Sequence, residues 1–228
     1  CLSSSHFNFA ALIPVDVEPR LLRLACVGKE NMMFEDIGRT VTHDVSSLYG
    51  EGKTWNIYGG HRLWMSPESF PETYYPDNEK VVYTTRVGGA EFTPQRQDET
   101  GLQLSLLVEM DENEPKLKIT HTITNTKKTP VTGAAWSLSV LDAGGIAIVP
   151  LSKKETGLLP SRNIVLWDYT DMTDDRLLFG KDTVAVRHDA SKQGALKIGI
   201  GQATGKIVYV NHGQALIKEY EADENASY

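Results

Sequence analysis

The chain has 228 residues, of which 40% are hydrophobic and 23% are charged, and its formal net charge is −7. These proportions are ordinary for a globular protein that is long enough to bury a core without a disulfide or a metal. The negative charge argues against nucleic acid as a partner, because phosphate binding needs a basic surface. No apolar run approaches the ~20 residues of a membrane-spanning helix, so we expect no membrane span.

Two cysteines, Cys1 and Cys26, allow one disulfide at most. Cys1 is followed by Leu-Ser-Ser-Ser, and mature bacterial lipoproteins begin with a lipidated cysteine and a short polar tether. The sequence therefore leaves two locations open, the bacterial cytoplasm or, if Cys1 is a processed lipidation site, the periplasm as a lipoprotein. The six histidines are scattered singly and no spacing suits zinc, so we expect no metal site and no cofactor.

Alternation of apolar and polar residues dominates the chain, and helical periodicity is nearly absent. In residues 116–125 the leucine, the isoleucines and His121 share one face, which is typical of a strand with one buried side. A single histidine in that register is more typical of a core than of a catalyst. The pattern predicts an all-β domain spanning residues 1–228. The strands predicted are 10–14, 20–27, 80–87, 90–96, 102–109, 116–125, 134–141, 146–150, 164–167, 184–189, 196–201, 206–210 and 214–221.

Residues 43–79 do not fit this pattern, and we expect them to be irregular. Their second half, from Trp55 to Glu79, holds two of the four tryptophans and three of the nine tyrosines. Aromatic rings match the apolar face of a sugar, and planar polar side chains match its rim of hydroxyls. Arg62 and Asp77 suit bidentate contacts to neighbouring hydroxyls, and His61 is a candidate acid or base. The alternative is structural: the aromatic residues fill a satellite core and the arginine forms an internal ion pair.

The segment also carries a resemblance. Gly-Gly-His-Arg-Leu-Trp at residues 59–64, Pro-Glu at 67–68 and Tyr-Tyr-Pro-Asp-Asn at 74–78 resemble an uncharacterised bacterial family in the galactose mutarotase-like (aldose 1-epimerase-like) superfamily. Asn-Met-Met-Phe-Glu at 31–35, Thr-Pro-Val at 129–131 and the glycine-led strand at 144–150 follow in the same order. The resemblance covers about residues 12–220.

This resemblance implies a large antiparallel two-sheet β-sandwich, the galactose mutarotase-like supersandwich, with a sugar cleft on one concave face. In that superfamily, late strands supply a catalytic glutamate. The chain ends before them, so we expect the fold to be incomplete at its C-terminus. An open sheet edge is prone to pairing with another chain, which predicts a homodimer through an exposed edge.

In mutarotases a histidine pair and a carboxylate open and reclose the sugar ring by general acid–base catalysis, without a cofactor. Trp136 stands where the resemblance places the acid histidine, and an indole does not serve as an acid. We therefore expect a carbohydrate-binding protein for a small-molecule sugar or oligosaccharide. An aldose 1-epimerase-like isomerase and a structural or interaction β-domain are the alternatives. His61 is the candidate catalytic residue. The candidate sugar-binding residues are Arg62, Trp64, Glu68, Tyr74, Asp77, Asn78 and Trp136.

Overall fold

The structure is a computed structural model, and it describes residues 2–4, 8–155, 157, 159, 161–201 and 204–222. The regular structure in this part of the chain consists of antiparallel β-strands and a single short helix, α1 (Ser46–Tyr49), so the predicted all-β class is confirmed. Two compact units are present, Cys1–Leu141 (unit 1) and Asp142–Tyr228 (unit 2). The single domain predicted for residues 1–228 stays a prediction. The candidate lipidation site, Cys1, lies outside the described residues.

Unit 1 contains four sheets within its described residues. Their strand orders are β1-β2-β4, β11-β10-β9-β8, β12-β7-β3 and β5-β6, when the strands are numbered along the chain. The strands are β1 (Leu2–Ser4), β2 (Phe9–Leu12), β3 (Arg20–Leu21), β4 (Arg23–Cys26), β5 (Thr42–Asp44), β6 (Thr54–Asn56), β7 (Gly60–Ser66), β8 (Val82–Arg86), β9 (Gly89–Thr93), β10 (Leu102–Met110), β11 (Leu117–Asn125) and β12 (Ala134–Val140).

The long hairpin of β10 and β11 builds much of the core of unit 1. Alternate residues of β10 are buried, and Leu106 and Val108 are almost completely so. The two strands pair over nine residues, and His121 of β11 stands opposite Leu106. Directly opposed residues share a face of the sheet, so the apolar alternation places His121 on the core side, as its register predicts.

Residues 43–79, predicted to be irregular, contain β5, α1, β6 and β7, so that prediction is wrong. The alternation of apolar and polar residues does not predict β7. Residues 60–64 are all buried, and a strand covered on both faces shows no alternation. Two glycines permit its entry into the sheet. Gly59 and Gly60 have φ values of 96° and 73°, a region that favours glycine. A Cβ atom on Gly60 would lie 2.4 Å from the carbonyl oxygen of Leu21.

Unit 2 is built on a five-stranded sheet of order β15-β16-β13-β18-β19, with a separate pair, β14-β17. Strands β19 and β15 form the edges of the larger sheet among the described residues. The predicted homodimer through an exposed edge stays a prediction. The strands of this unit are β13 (Ile146–Pro150), β14 (Ile164–Leu166), β15 (Leu177–Phe179), β16 (Thr183–Arg187), β17 (Ile198–Ile200), β18 (Lys206–Asn211) and β19 (Gln214–Glu219).

Candidate functional site

Strand β7 is the centre of the candidate site, because it lies between β3 and β12 and presents different side chains on its two faces. Arg62 stands opposite Arg20 of β3, and Trp64 stands opposite Trp136 of β12. Opposed residues point to the same side of a sheet, so these four side chains share one face. His61 alternates with Arg62 and therefore lies on the other face.

Two arginines and two carboxyl groups form a buried ion cluster beside this face. Asp77 Oδ2 accepts a hydrogen bond from Nη2 of Arg20 and lies 3.2 Å from Nη1 of Arg62. Nη2 of Arg62 is 3.5 Å from Oε2 of Glu18. None of the four side chains is more than 9% exposed. Buried charges are tolerated only when they are paired, so each member of the cluster depends on the others.

Burial shifts the titration of the cluster. It raises the pKa of Glu18 to about 8, and the charge of Asp77 and a hydrogen bond to Asp77 add to the effect. Burial also lowers the pKa of Arg62 to about 10, against the opposing charge of Asp77. Burial therefore favours the neutral form of the Glu18 carboxyl group within the cluster.

Arg62 joins the ion cluster to a group of aromatic rings. Its guanidinium carbon lies 4.6 Å from the ring centroid of Trp64 and 5.7 Å from that of Trp55. Such cation–π contacts stabilise a buried arginine whose remaining N–H groups are unpaired. The indole N–H groups of both tryptophans and Nε of Arg62 are buried without a hydrogen-bond partner among the described residues.

The aromatic group continues from Trp64 toward the surface. The ring of Trp64 is 5.9 Å from Trp136 and 5.1 Å from Tyr74, between centroids. Trp64 is buried, whereas Tyr74 and Trp136 are only half-buried. The hydroxyl of Tyr74 donates a hydrogen bond to Glu68, an exposed residue. Partial burial, followed by this hydrogen bond, raises the pKa of Tyr74 to about 12, so the hydroxyl remains a donor at neutral pH.

Asn78 holds the loop after β7 against β6. Its Nδ2 donates to the backbone oxygen of Thr54 at 3.0 Å. Its Oδ1 accepts from Nδ2 of Asn56 at 3.2 Å and from the hydroxyl of Tyr58. These contacts use both ends of the amide, and they position the neighbouring Asp77.

His61 belongs to a different environment. Its Nδ1 is 2.8 Å from Oγ of Ser139, and its Nε2 is 2.8 Å from Nε2 of His121. The ring is buried, and it faces away from Arg62. The structure thus brings Arg62, Trp64 and Asp77 together but places the candidate catalyst elsewhere.

A small cleft opens beside the ion cluster. The space in it that a water-sized sphere can reach is about 10 Å³, roughly the volume needed for one water molecule. The sequence predicts Asp77 as a site residue but does not predict Glu18 or Arg20. Arg20 stands opposite Arg62, which is 42 residues later in the chain, and a pairing over that distance leaves no local pattern. The cleft is lined by Glu18, Tyr75, Asp77, Glu79, Pro94 and Gln95.

Within the described residues, no three histidine, cysteine or acidic side chains are grouped as a metal site would require. The same part of the chain has no helix with the length and apolarity to cross a membrane. Comparison of the chain with protein-family models, with curated proteins and with solved structures gave no match.

Proposed function

We propose that unit 1 binds a carbohydrate on the face of β7 that carries Arg62 and Trp64. One observation carries the proposal: on this face the half-buried rings of Trp136 and Tyr74 pack against Trp64, and the hydroxyl of Tyr74 adjoins the exposed carboxyl group of Glu68. A sugar combines an apolar C–H face with a rim of hydroxyls, and these two kinds of group match the two surfaces. The proposed ligand is a small-molecule sugar or oligosaccharide.

Within this face, Trp136 is the proposed stacking ring. It is half-buried, whereas Trp64 is only 7% exposed. The ring of Trp64 packs against Trp136 on one side and contacts the guanidinium of Arg62. Tyr74 and its partner Glu68 border the same rings and offer hydrogen bonds to hydroxyls at the rim.

We further infer that two sheets of unit 1 pack as a sandwich of the galactose mutarotase-like kind. His61 lies in the sheet of β3, β7 and β12, and its partner His121 lies in the sheet of β8 to β11. A contact between side chains of two sheets is typical of face-to-face packing. The resemblance of residues 59–78 to that superfamily supports the same inference.

The isomerase alternative needs a histidine opposite a carboxylate. The ring nitrogens of His61 contact Ser139 and His121, and Asp77 pairs with Arg62 on the opposite face of β7. The proposal therefore consists of sugar binding without proton transfer by His61. A structural or interaction domain is the remaining alternative, and an absence of sugar binding would favour it.

The test measures the affinity of the protein for D-glucose and D-galactose. Saturation-transfer-difference NMR detects the binding, and titration gives the Kd. Trp136→Ala is expected to weaken binding about tenfold, since an aromatic contact contributes up to about 1.5 kcal/mol. Trp167→Ala is the matched control, because Trp167 is a half-buried tryptophan of unit 2. Equal sugar affinities in the two variants would show that Trp136 does not contact the sugar. Failure of the wild-type protein to bind either sugar would overturn the proposal.

A further inference from the structure

The aromatic group of unit 1 extends beyond the rings of the proposed sugar face. Trp64 lies between Trp136 and Tyr74, at centroid separations of 5.9 and 5.1 Å. Tyr74 in turn lies 5.4 Å from Phe70, in the loop between β7 and β8. The ring of His43, on β5, contacts Tyr74 and Phe70 at 5.4 and 6.4 Å. These five rings form one continuous series, which we call the aromatic row.

Both ends of the aromatic row are open to solvent. At one end Phe70 is 57% exposed and His43 is exposed, and at the other end Trp136 is half-buried. Trp64, in the middle of the row, is buried. Rings that only filled a core would be buried throughout, whereas apolar groups that lie together on a surface mark binding sites. Exposure at both ends therefore indicates a surface that a ligand can contact in two places.

The length of the aromatic row limits the size of the ligand. A pyranose ring is similar in size to one aromatic ring, so a single sugar covers Trp136 or Phe70 but not both. Two other rings separate these ends, and a chain of linked sugars can continue from one end to the other. The second contact of such a chain is intramolecular, which raises the overall affinity. The row therefore favours a chain of sugars over a single ring.

The charges beside the aromatic row favour an uncharged ligand. Glu68 and Glu72 lie in the loop after β7, and both side chains are exposed. A hydrogen bond from its own backbone N–H group, followed by that of the Ser69 hydroxyl, holds the pKa of Glu72 below its usual range. Residues 67–76 contain no lysine or arginine, and the nearby Arg62 is buried. A carboxylate on the ligand would therefore meet like charges without a compensating cation from this loop.

We propose that the aromatic row binds an uncharged oligosaccharide, with one sugar stacked on Trp136 and another sugar of the same chain stacked on Phe70. The inference rests on the carbohydrate binding proposed above, and it adds the length and the charge of the ligand. The hydroxyl of Tyr74 and its partner Glu68 adjoin the row between the two stacking rings. Their oxygens accept hydrogen bonds from hydroxyl groups of the chain.

The experiment compares the Kd values of maltotriose, cellotriose and galactotriose with those of D-glucose and D-galactose. At least one trisaccharide should bind about tenfold more tightly than its own monosaccharide, because a second ring contributes to stacking. Phe70→Ala should remove this gain and leave the monosaccharide affinity within twofold of the wild type. Trp136→Ala should weaken the binding of both. The matched control is Phe179→Ala, since Phe179 is 46% exposed on β15 of unit 2, and this variant should retain the gain.

A charged ligand tests the second part of the inference. The uronic acid form of the trisaccharide that binds has carboxylates in place of its primary hydroxyl groups. It should bind about three- to fivefold more weakly at low salt, and the difference should shrink as salt screens the charges. Glu68→Gln should also reduce the difference, because the amide keeps an acceptor for the hydroxyl of Tyr74 but has no charge.

The outcomes separate this inference from the proposed function. Trisaccharide affinities no higher than those of the monosaccharides, or a gain that persists in Phe70→Ala, would overturn the oligosaccharide site and leave the proposed function standing. Tighter binding of the uronic acid than of the uncharged trisaccharide would overturn the preference for an uncharged chain. An absence of binding by all five sugars would overturn both the inference and the proposed function.

Discussion

At the scale of single residues, Asp77 is the member on which the ion cluster depends most. It is the shared partner of Arg20 and Arg62, and all three are buried. Asp77→Asn leaves two buried guanidinium groups without that carboxylate, so we expect a loss of roughly 3–5 kcal/mol in the free energy of unfolding. Urea denaturation measures this loss.

The control for Asp77 is an ion pair at the surface. Asp98 pairs with Arg96, and the two side chains are 76% and 56% exposed. Exposed pairs contribute about 0–1 kcal/mol, so Asp98→Asn should leave the urea midpoint nearly unchanged. Similar losses in both variants would mean that the cluster around Asp77 contributes no more than a surface pair.

Glu18 gives the protein a pH dependence of stability with a definite sign. Its pKa is raised from 4.5 to about 8 in the folded state, so the folded protein binds the proton more tightly than the unfolded chain. The contribution of Glu18 to stability is therefore fully present below about pH 4.5 and is lost as the pH rises through about 8. Thermal melting from pH 5 to 9 should show a decline that Glu18→Gln reduces. An equal decline in that variant would assign it to other groups.

At the scale of elements, β7 shows what the sequence could predict and what it could not. Two strands were predicted closely: 146–150 coincides with β13, and 116–125 with β11 but for one residue. β7 was missed because burial on both faces removes the alternation that reveals a strand. The sequence predicts that residues 59–64 belong to a site, but their division between two faces depends on the register with β12, which pairs residues some 70 positions apart.

The alternation of β7 makes a prediction about its two faces. His61 is turned toward Ser139 and His121, away from the proposed sugar face. His61→Ala should lower the free energy of unfolding, because it removes two partly buried contacts, and should leave sugar affinity within twofold of the wild type. Trp136→Ala should instead reduce the sugar affinity more than it lowers the free energy of unfolding. A loss of affinity in His61→Ala at unchanged stability would instead place His61 in the binding site.

At the scale of the whole molecule, the class of the fold was predictable because strand periodicity is local. The candidate site was predictable only in part. Arg62, Trp64 and Asp77 come together as expected, whereas Glu18 and Arg20 enter from β3 and the loop before it. Neither carries a local signal, because an acid or an arginine near a strand is usually a surface residue. Their part in the ion cluster becomes visible only when the segments that carry Arg20, Arg62 and Asp77 are brought together in the fold.

The homodimer expected from the sequence can be tested on the sheet of unit 2. Strand β19 is an edge of that sheet, contains no proline and carries Ile217, which is 54% exposed. An apolar edge strand is a template for pairing, and pairing about a two-fold axis joins two copies through the same strand. Sedimentation velocity should then show concentration-dependent association that Ile217→Lys abolishes. Val82→Lys, on the edge strand β8 of unit 1, is the matched control and should leave association intact. Dissociation by Val82→Lys alone would move the interface to β8, and a monomer at every concentration would exclude the dimer.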